Sequence, residues 1–154
     1  MGMLGLTLRP LAPADAPAAA GLIARQPDDY ARFFSAFGSE EAGLAATLQA
    51  AGRDIYAGLF WEDALICVYM LRGWDAGFDI PTFGLIVDAA HRGQRVLTVA
   101  LEAAKLTARM AGAERLMVKV HPDNPAATTG ALRLGFVPAS QEAETGNTIY
   151  YLDL

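Results

Sequence analysis

The feature that most constrains the fold of this chain is an apolar run that leads through a short basic turn into an amphipathic stretch. Residues 83–87 read FGLIV, the turn is His91–Gln94, and apolar residues then recur at positions 96, 99, 103, 106 and 110. This spacing follows the helical period and predicts a helix with one apolar face, and charged residues at 102, 105 and 109 lie on another face. A strand joined to a helix in this way is typical of layered α/β and α+β domains.

The turn between strand and helix predicts an anion site. The start of a helix leaves backbone N–H groups without intrahelical acceptors and carries a partial positive charge. Arg92 and Arg95 flank this start, so a phosphate or pyrophosphate would be well placed there. The alternative is that the turn only connects a strand to its helix, and one glycine, Gly93, does not decide between the two.

Length, composition and charge limit the class of protein. The 154 residues suit one domain spanning residues 1–154, and 53% hydrophobic with 19% charged residues is the composition of a globular chain. A net charge of -5 argues against a general nucleic-acid binder. The one cysteine, Cys67, allows no disulfide framework or zinc cluster within the chain, and no metal site is expected. Since there is no signal-peptide pattern and no apolar run approaches the ~20 residues of a membrane span, we expect a cytoplasmic protein without a membrane partner.

The remaining segments alternate between the strand and the helix period. Helices are expected from Asp15, as the capping residue, to about Arg25, over Tyr30–Phe37, from Ser39 to about Ala51, and from Asn124 to about Leu134. Strands are expected at Leu4–Leu8, in a hairpin of Asp54–Trp61 with Ala64–Leu71, and at Thr82–Val87, Arg115–Val120, Phe136–Val137 and Thr148–Leu154, with a polar linker at Ala139–Gly146. This order predicts an α+β fold, layered as in α/β domains, with one mixed, mostly antiparallel sheet between helices.

The basic turn and a later motif, NPAATTGALRLGF, together resemble the GNAT family of N-acetyltransferases over nearly the whole chain. In that family the turn follows Gln/Arg-x-x-Gly-x-Gly/Ala. Here Arg92 matches the first position, whereas Arg95 and Leu97 stand at the two small-residue positions.

The later family motif has an asparagine, an alanine, a tyrosine and then Leu-Gly-Phe. Asn124, Ala127 and the run Leu134–Phe136 match it, and Ala131 stands at the tyrosine position. That tyrosine commonly protonates the departing thiolate, so this chain lacks the usual acid. The resemblance further implies that Thr82–Val87 and Leu116–Val120 splay apart to leave a cleft.

The resemblance also implies acetyl-coenzyme A (acetyl-CoA) as the cofactor. The strand that precedes the turn would hold the thioester, the turn would hold the pyrophosphate, and the later asparagine would complete the site. The expected cofactor-binding residues are Leu85, Ile86, Val87, Arg92, Gly93, Gln94, Arg95, Val96, Leu97 and Asn124.

The acceptor is expected beside the loop Arg72–Pro81 and the aromatic segment Tyr30–Phe37, which flank the cleft in this family. Carboxylates in the loop could attract a cationic amine and accept its proton, and Asp79 is preferred over Asp75 as the base. Asp88 and His91 are further candidates, and each of these groups is also explained as a surface charge. Flat apolar surface for a sugar ring or a base is expected from Tyr30, Phe34, Trp74 and Phe78.

The function that follows is acetyl transfer from acetyl-CoA to a primary amine of a small molecule, by a monomer or a homodimer. The loop MLRGWDAGFDIPTFG is similar to a branch of the family linked to polysaccharide and nucleotide-sugar biosynthesis, which implies an amino sugar as acceptor. Two alternatives stay open: a non-catalytic acyl-CoA-binding or regulatory module, and a protein N-acetyltransferase.

Overall fold

The computed structural model describes residues 5–28 and 40–154. The expected aromatic helix Tyr30–Phe37 therefore lies outside the described residues. The strands are β1 (Leu6–Pro10), β2 (Ile55–Trp61), β3 (Ala64–Arg72), β4 (Thr82–Val87), β5 (Arg115–Val120), β6 (Val137–Gln141) and β7 (Thr148–Asp153). The helices of the described residues are α1 (Ala16–Ala24), α2 (Glu41–Ala50), α3 (Val96–Met110) and α4 (Pro125–Arg133), with short 3-10 turns at Pro13–Asp15 and Ala89–His91.

The strands form one sheet in the order β1-β2-β3-β4-β5-β7-β6. Every neighbouring pair is antiparallel except β4 and β5. These two are parallel because α3 carries the chain back across the sheet between them, whereas the two residues Glu62 and Asp63 suffice for the β2–β3 hairpin. The predicted mixed, mostly antiparallel sheet is confirmed.

The sheet carries helices on both faces, as expected, but the two faces are covered unevenly. One core lies between the sheet and the α3 and α4 helices and draws on β2 to β5 and β7. The other lies between α1, α2 and the strands β2 to β4, and it includes no buried residue of β5, β6 or β7. On the α1–α2 side, the half of the sheet formed by β5, β7 and β6 is therefore not covered by these two helices.

Cys67 belongs to the core beneath α3 and is fully buried. Burial raises the pKa of its thiol to about 12, because the charged form would lose its hydration. The expected structural role of this cysteine fits its surroundings.

The buried face of α3 differs from the predicted apolar face. Val96 is buried, but Val99, Leu106 and Met110 are 41%, 58% and 82% exposed. The residues that face the sheet are instead Ala100, Leu101, Ala104 and Ala108 together with Val96. Small side chains let the helix axis approach the sheet closely, so the bulkier residues lie along one flank of the helix.

Two local expectations are also corrected. The Asp15 carboxylate does not cap α1; it receives two hydrogen bonds of 2.8 Å from the Arg9 guanidinium and one of 2.7 Å from the N–H of Ala12. The Arg9 guanidinium offers two donors in a geometry that matches the carboxylate, and this contact is more favourable than one hydrogen bond from a helical N–H. The predicted linker Ala139–Gly146 begins later than expected, since β6 continues to Gln141.

Candidate active site

A gap opens between β4 and β5. The two strands share one register pair, Thr82 with Met117, and the N–H of Met117 donates to the Pro81 carbonyl at 3.0 Å. Beyond this pair β4 stays bonded to β3 as far as Val87, and β5 stays bonded to β7 as far as Val120. The sheet is therefore closed at the start of β4 and open at its end, and the predicted splay is confirmed.

Backbone groups of β4 face this gap. The N–H of Asp88 donates to the Ile66 carbonyl of β3 at 2.9 Å, and successive residues of a strand direct their hydrogen-bonding groups to alternate sides. Ile86 therefore faces β3, whereas Leu85 and Val87 face the side of β5. Leu85, Ile86 and Val87 were expected to hold a thioester, and the backbone groups of Leu85 and Val87 are thus directed into the gap.

The turn after β4 ends in a helix start without a side-chain cap. Gly93 and Arg95 have positive φ angles of 78° and 64°, and Arg95 is the capping residue of α3. The Arg95 side chain makes no capping hydrogen bond, so it leaves the first N–H groups of α3, at Val96 and Leu97, as donors that a ligand could use. Consecutive N–H groups that follow a left-handed residue form a concave anion site.

The side chains around the turn add positive charge to it. Arg92, Gln94 and Arg95 are all exposed at the amino end of α3. The structure brings the predicted turn residues together at the open end of the gap, where the strand edge and the helix start meet.

A buried carboxylate anchors the turn to α1. Asp88 accepts hydrogen bonds from Nε of Arg25 at 2.9 Å and from the N–H of Ala90 at 3.2 Å, and Gln26 accepts from the N–H of Ala89 at 2.8 Å. Burial by itself would raise the pKa of Asp88, but the bonds from Arg25, Ala90 and Gln26 outweigh it and lower the pKa overall. Asp88 is thus a charged structural anchor and a poor general base.

His91 lies at the same anchor. Its Nδ1 is 3.7 Å from Oδ2 of Asp88 and is buried without a hydrogen-bond partner among the described residues. The imidazole thus packs under the turn with this nitrogen directed at the carboxylate.

The other wall of the gap ends in the start of α4. Oδ1 of Asn124 accepts the N–H of Ala127 at 3.2 Å, which confirms the expected helix cap and leaves the amide Nδ2 as a donor. Ala131, at the position of the family's tyrosine, is buried in the core beneath α4 and offers no proton donor.

The carboxylate of the predicted base Asp75 is bonded to backbone groups of a neighbouring loop. Its carboxylate accepts the N–H groups of Gly52, Arg53 and Asp54 at 2.9, 2.6 and 3.3 Å. The bonds from Gly52 and Arg53 are the main reason that its pKa is lowered. The Asp54 side chain in turn accepts hydrogen bonds from the N–H groups of Gly73 and Asp75, so side chains of both loops bond to the backbone of the other.

Asp79 and Trp74 lie at the closed end of the sheet. They line a surface cavity of about 430 Å³ with residues 111–115, which follow the last turn of α3. The 15 residues of α3 span about 22 Å at 1.5 Å per residue, and the anion turn is at the other end of that helix. Asp79 therefore lies at the end of β4 away from the anion turn, and its role as the base stays a prediction.

The other predicted acceptor residues do not add to the gap. Phe78 is 66% exposed in the loop between β3 and β4. Tyr30 and Phe34 lie outside the described residues.

Residues on the half of the sheet that α1 and α2 do not cover were not predicted. Met117 and Lys119 of β5 face the α1–α2 side, since Leu116, Val118 and Val120 contribute to the opposite core. Nζ of Lys119 lies 2.6 Å from Oε1 of Glu142. The alternation in RLMVKV could have shown which way Lys119 points, but not that Glu142 meets it across β7.

Two further properties concern the described residues as a whole. None of their helices is both long and apolar enough to cross a bilayer. Among residues 5–28 and 40–154, no three His, Cys, Asp or Glu side chains group as metal ligands would.

The fold is shared by several solved acetyltransferases. A PaiA N-acetyltransferase from Thermoplasma acidophilum in complex with coenzyme A has a TM-score of 0.79 at 13% identity, covering 98% of this chain and 100% of that one. An acetyltransferase from Thermus thermophilus has a TM-score of 0.75 at 23% identity and full coverage of both chains. RimL, a ribosomal alpha-N-protein acetyltransferase in complex with coenzyme A, has a TM-score of 0.72 at 16% identity, covering 100% and 97%.

The sequence itself matches a family. No curated protein sequence matches the chain significantly, but the family model described as "Acetyltransferase (GNAT) domain" matches residues 5–137. The chain therefore belongs to the GNAT family, as its turn and later motif implied, and is an acetyltransferase that uses acetyl-CoA.

Proposed function

We propose that this chain transfers the acetyl group of acetyl-CoA to a primary amine of a small molecule. The observation that carries the proposal is the gap between β4 and β5, which opens next to the uncapped start of α3. The α3–α4 side of the sheet is filled by core residues, so an acceptor would lie on the opposite side, where α1 and α2 bury no residue of β5 or β7.

The residues of the cofactor side fit acetyl-CoA in charge and in hydrogen bonding. The N–H groups from Gly93 to Leu97, with Arg92 and Arg95, would hold the pyrophosphate. Leu85 would bond the arm of the cofactor through its backbone, and the amide of Asn124 offers one more donor. The bound cofactor supplies an activated acetyl thioester.

The chemistry left to the chain is modest. Negative charge that develops on a carbonyl oxygen is stabilised by backbone N–H groups such as that of Leu85. A thiol has a pKa near 8.5, so a leaving thiolate needs little assistance and Ala131 is compatible with turnover. Since Asp75 is held by the N–H groups of residues 52–54 and Asp79 lies away from the anion turn, we propose that the amine reaches the gap neutral or loses its proton to water.

Turnover tests the proposal directly. Purified protein is incubated with acetyl-CoA and a panel of primary amines that includes amino sugars, a polyamine, amino acids and a peptide with a free α-amine. Release of free thiol above the rate without amine is the expected result for at least one small acceptor. Release with the peptide alone would overturn the small-molecule proposal in favour of a protein acceptor, as RimL is described to use.

One observation favours a second function. Ala131 replaces the usual acid, and Arg95 and Leu97 replace the small residues of the turn, as in a module that binds acyl-CoA without catalysis. Calorimetry separates the two, since binding of acetyl-CoA without release of thiol for any amine would establish the non-catalytic module.

A further inference from the structure

An ion pair borders the open part of the gap on the acceptor side. Lys119 lies two residues beyond Met117, the last residue of β5 that pairs with β4. Its side chain points to the α1–α2 side, away from the core that contains Val120. Nζ of Lys119 approaches Oε1 of Glu142 to 2.6 Å across β7.

Glu142 is held in place by its own turn. Its second carboxylate oxygen accepts the Thr145 hydroxyl at 2.7 Å, and its N–H donates to the Asn147 carbonyl at 2.8 Å. The side chains of Lys119 and Glu142 are nevertheless 41% and 24% exposed. Both charges are therefore fixed in position and still accessible to a ligand.

In an ion pair of this kind, each charged side chain can bind a group of a ligand in place of the other side chain. Ion pairs accessible to solvent contribute little to folding stability, so opening this one is not demanding. A ligand that brings one positive and one negative group can replace both halves at once, and no charge is then left without a partner.

We propose that Lys119 and Glu142 select an acceptor that carries an anionic group close to its primary amine. Glu142 first accepts hydrogen bonds from the amine in its ammonium form, and the amine then loses a proton to water before it attacks, while Lys119 donates to the phosphate or carboxylate of the same molecule. This inference rests on the proposed function, because it names the acceptor class of that site.

The surface around the pair fits a small body between the two charges. Ile149 and Tyr151 of β7 are the register partners of Lys119 and Met117 and lie half-buried on the same face. The guanidinium of Arg115 stacks on Tyr151, 4.2 Å from the ring centroid, which fixes the far edge of this floor. A short chain or a single ring would rest on these apolar side chains.

Matched acceptors and variants test the inference. The acceptors are glucosamine with glucosamine 6-phosphate, and ethanolamine with phosphoethanolamine, so that each pair differs by one phosphate. The variants are Lys119→Met and Glu142→Gln. Lys105→Met is the control, because it removes the only other lysine of the sequence, which forms a 3.0 Å ion pair with Glu102 on α3.

The wild-type protein is expected to prefer the phosphate-bearing member in kcat/KM by about ten-fold or more, as one charge-assisted contact implies. Lys119→Met abolishes that preference, whereas Glu142→Gln lowers kcat/KM for both members of a pair by about ten-fold. Lys105→Met retains the preference, and all variants retain the wild-type affinity for coenzyme A in calorimetry.

The two proposals fail in different ways. If the wild-type protein acetylates amines but shows no preference within either pair, or if Lys119→Met keeps the preference, the inference on this ion pair is overturned alone. If the wild-type protein binds coenzyme A and acetylates no small amine, the proposed function is overturned and the inference falls with it.

Discussion

At the scale of single residues, Arg95 combines a strained backbone with a charged side chain. Its φ of 64° and ψ of 21° are left-handed, a conformation that costs a non-glycine residue about 1–2 kcal/mol. The family pattern has glycine at this position, and glycine adopts these left-handed angles without strain. The sequence showed the substitution, but only the backbone angles show that the arginine adopts the glycine's conformation.

Arg95→Gly and Arg95→Ala separate the two roles. Glycine relieves the strain but adds about 0.5–1 kcal/mol of unfolded-chain entropy, so we expect a net gain of about 0.5–1 kcal/mol in the free energy of unfolding. Alanine should leave stability near wild type. Both variants lose the guanidinium and should bind coenzyme A about ten-fold more weakly. Urea unfolding and calorimetry measure the two effects, and unchanged affinity in both variants would remove this side chain from the site.

The expected role of Asp79 as the base stays a prediction, and its position suggests the opposite outcome. Because it lies at the closed end of the sheet, Asp79→Asn should keep the acetylation rate and the shape of its pH profile. Loss of a general base would lower the rate by about 10²–10⁴-fold. Steady-state rates over a pH series with an accepted amine decide between these results, and a loss of that size would restore Asp79 as the base.

At the scale of elements, Asp88 connects α1 to the turn before α3. Asp88→Asn keeps the shape but removes the charge that Arg25 and Gln26 bond, and Arg25 is 47% exposed, so we expect a loss of about 1–2 kcal/mol at neutral pH. The pKa of Asp88 is lowered in the folded state. Its contribution is therefore complete above the unfolded value of about 4 and is lost as the pH falls through the lower folded pKa.

Urea unfolding at pH 7 and at pH 3 measures this contribution. The difference between Asp88→Asn and wild type should be present at pH 7 and smaller at pH 3. Asp15→Asn is a matched control, because it breaks a comparably exposed pair with Arg9 far from the turn and should leave coenzyme A affinity unchanged. A difference for Asp88→Asn that stays equal at both pH values would contradict the electrostatic explanation.

The ends of the helices were predictable from the sequence, whereas the buried face of α3 was not. Asn124 with Pro125 predicted the start of α4, and Gly112 and Gly135 with φ of 89° and 93° marked the ends of α3 and α4, because such signals are local. The buried face of α3 was mispredicted because the helix has two candidate faces. Hydrophobicity favoured the one with Val99 and Leu106, whereas close packing on the sheet selected the alanines.

At the scale of the whole molecule, the gap was predictable and the contact between Lys119 and Glu142 was not. The strand–turn–helix order and the family resemblance implied the splay of β4 from β5. The acceptor face depends on strand order, since β7 lies between β5 and β6 and brings Glu142 to Lys119. Nothing in either segment alone indicates that contact. Sequence order also does not show which end of the sheet opens, so it could not place the aspartates of the loop before β4 relative to the gap.

The last prediction concerns how the whole protein handles the proton of its acceptor. If the chain supplies no general base at the gap, the acidic limb of kcat/KM reports the amine itself, because only the neutral amine attacks. Two acceptors that differ mainly in amine basicity, such as an accepted amine and its fluorinated analogue, should then give limbs displaced by the difference between their amine pKa values. Steady-state kinetics over a pH series measures the displacement. Limbs that coincide for both acceptors would show that an enzyme group accepts the proton, and substitution of His91 and His121 in turn would then identify it.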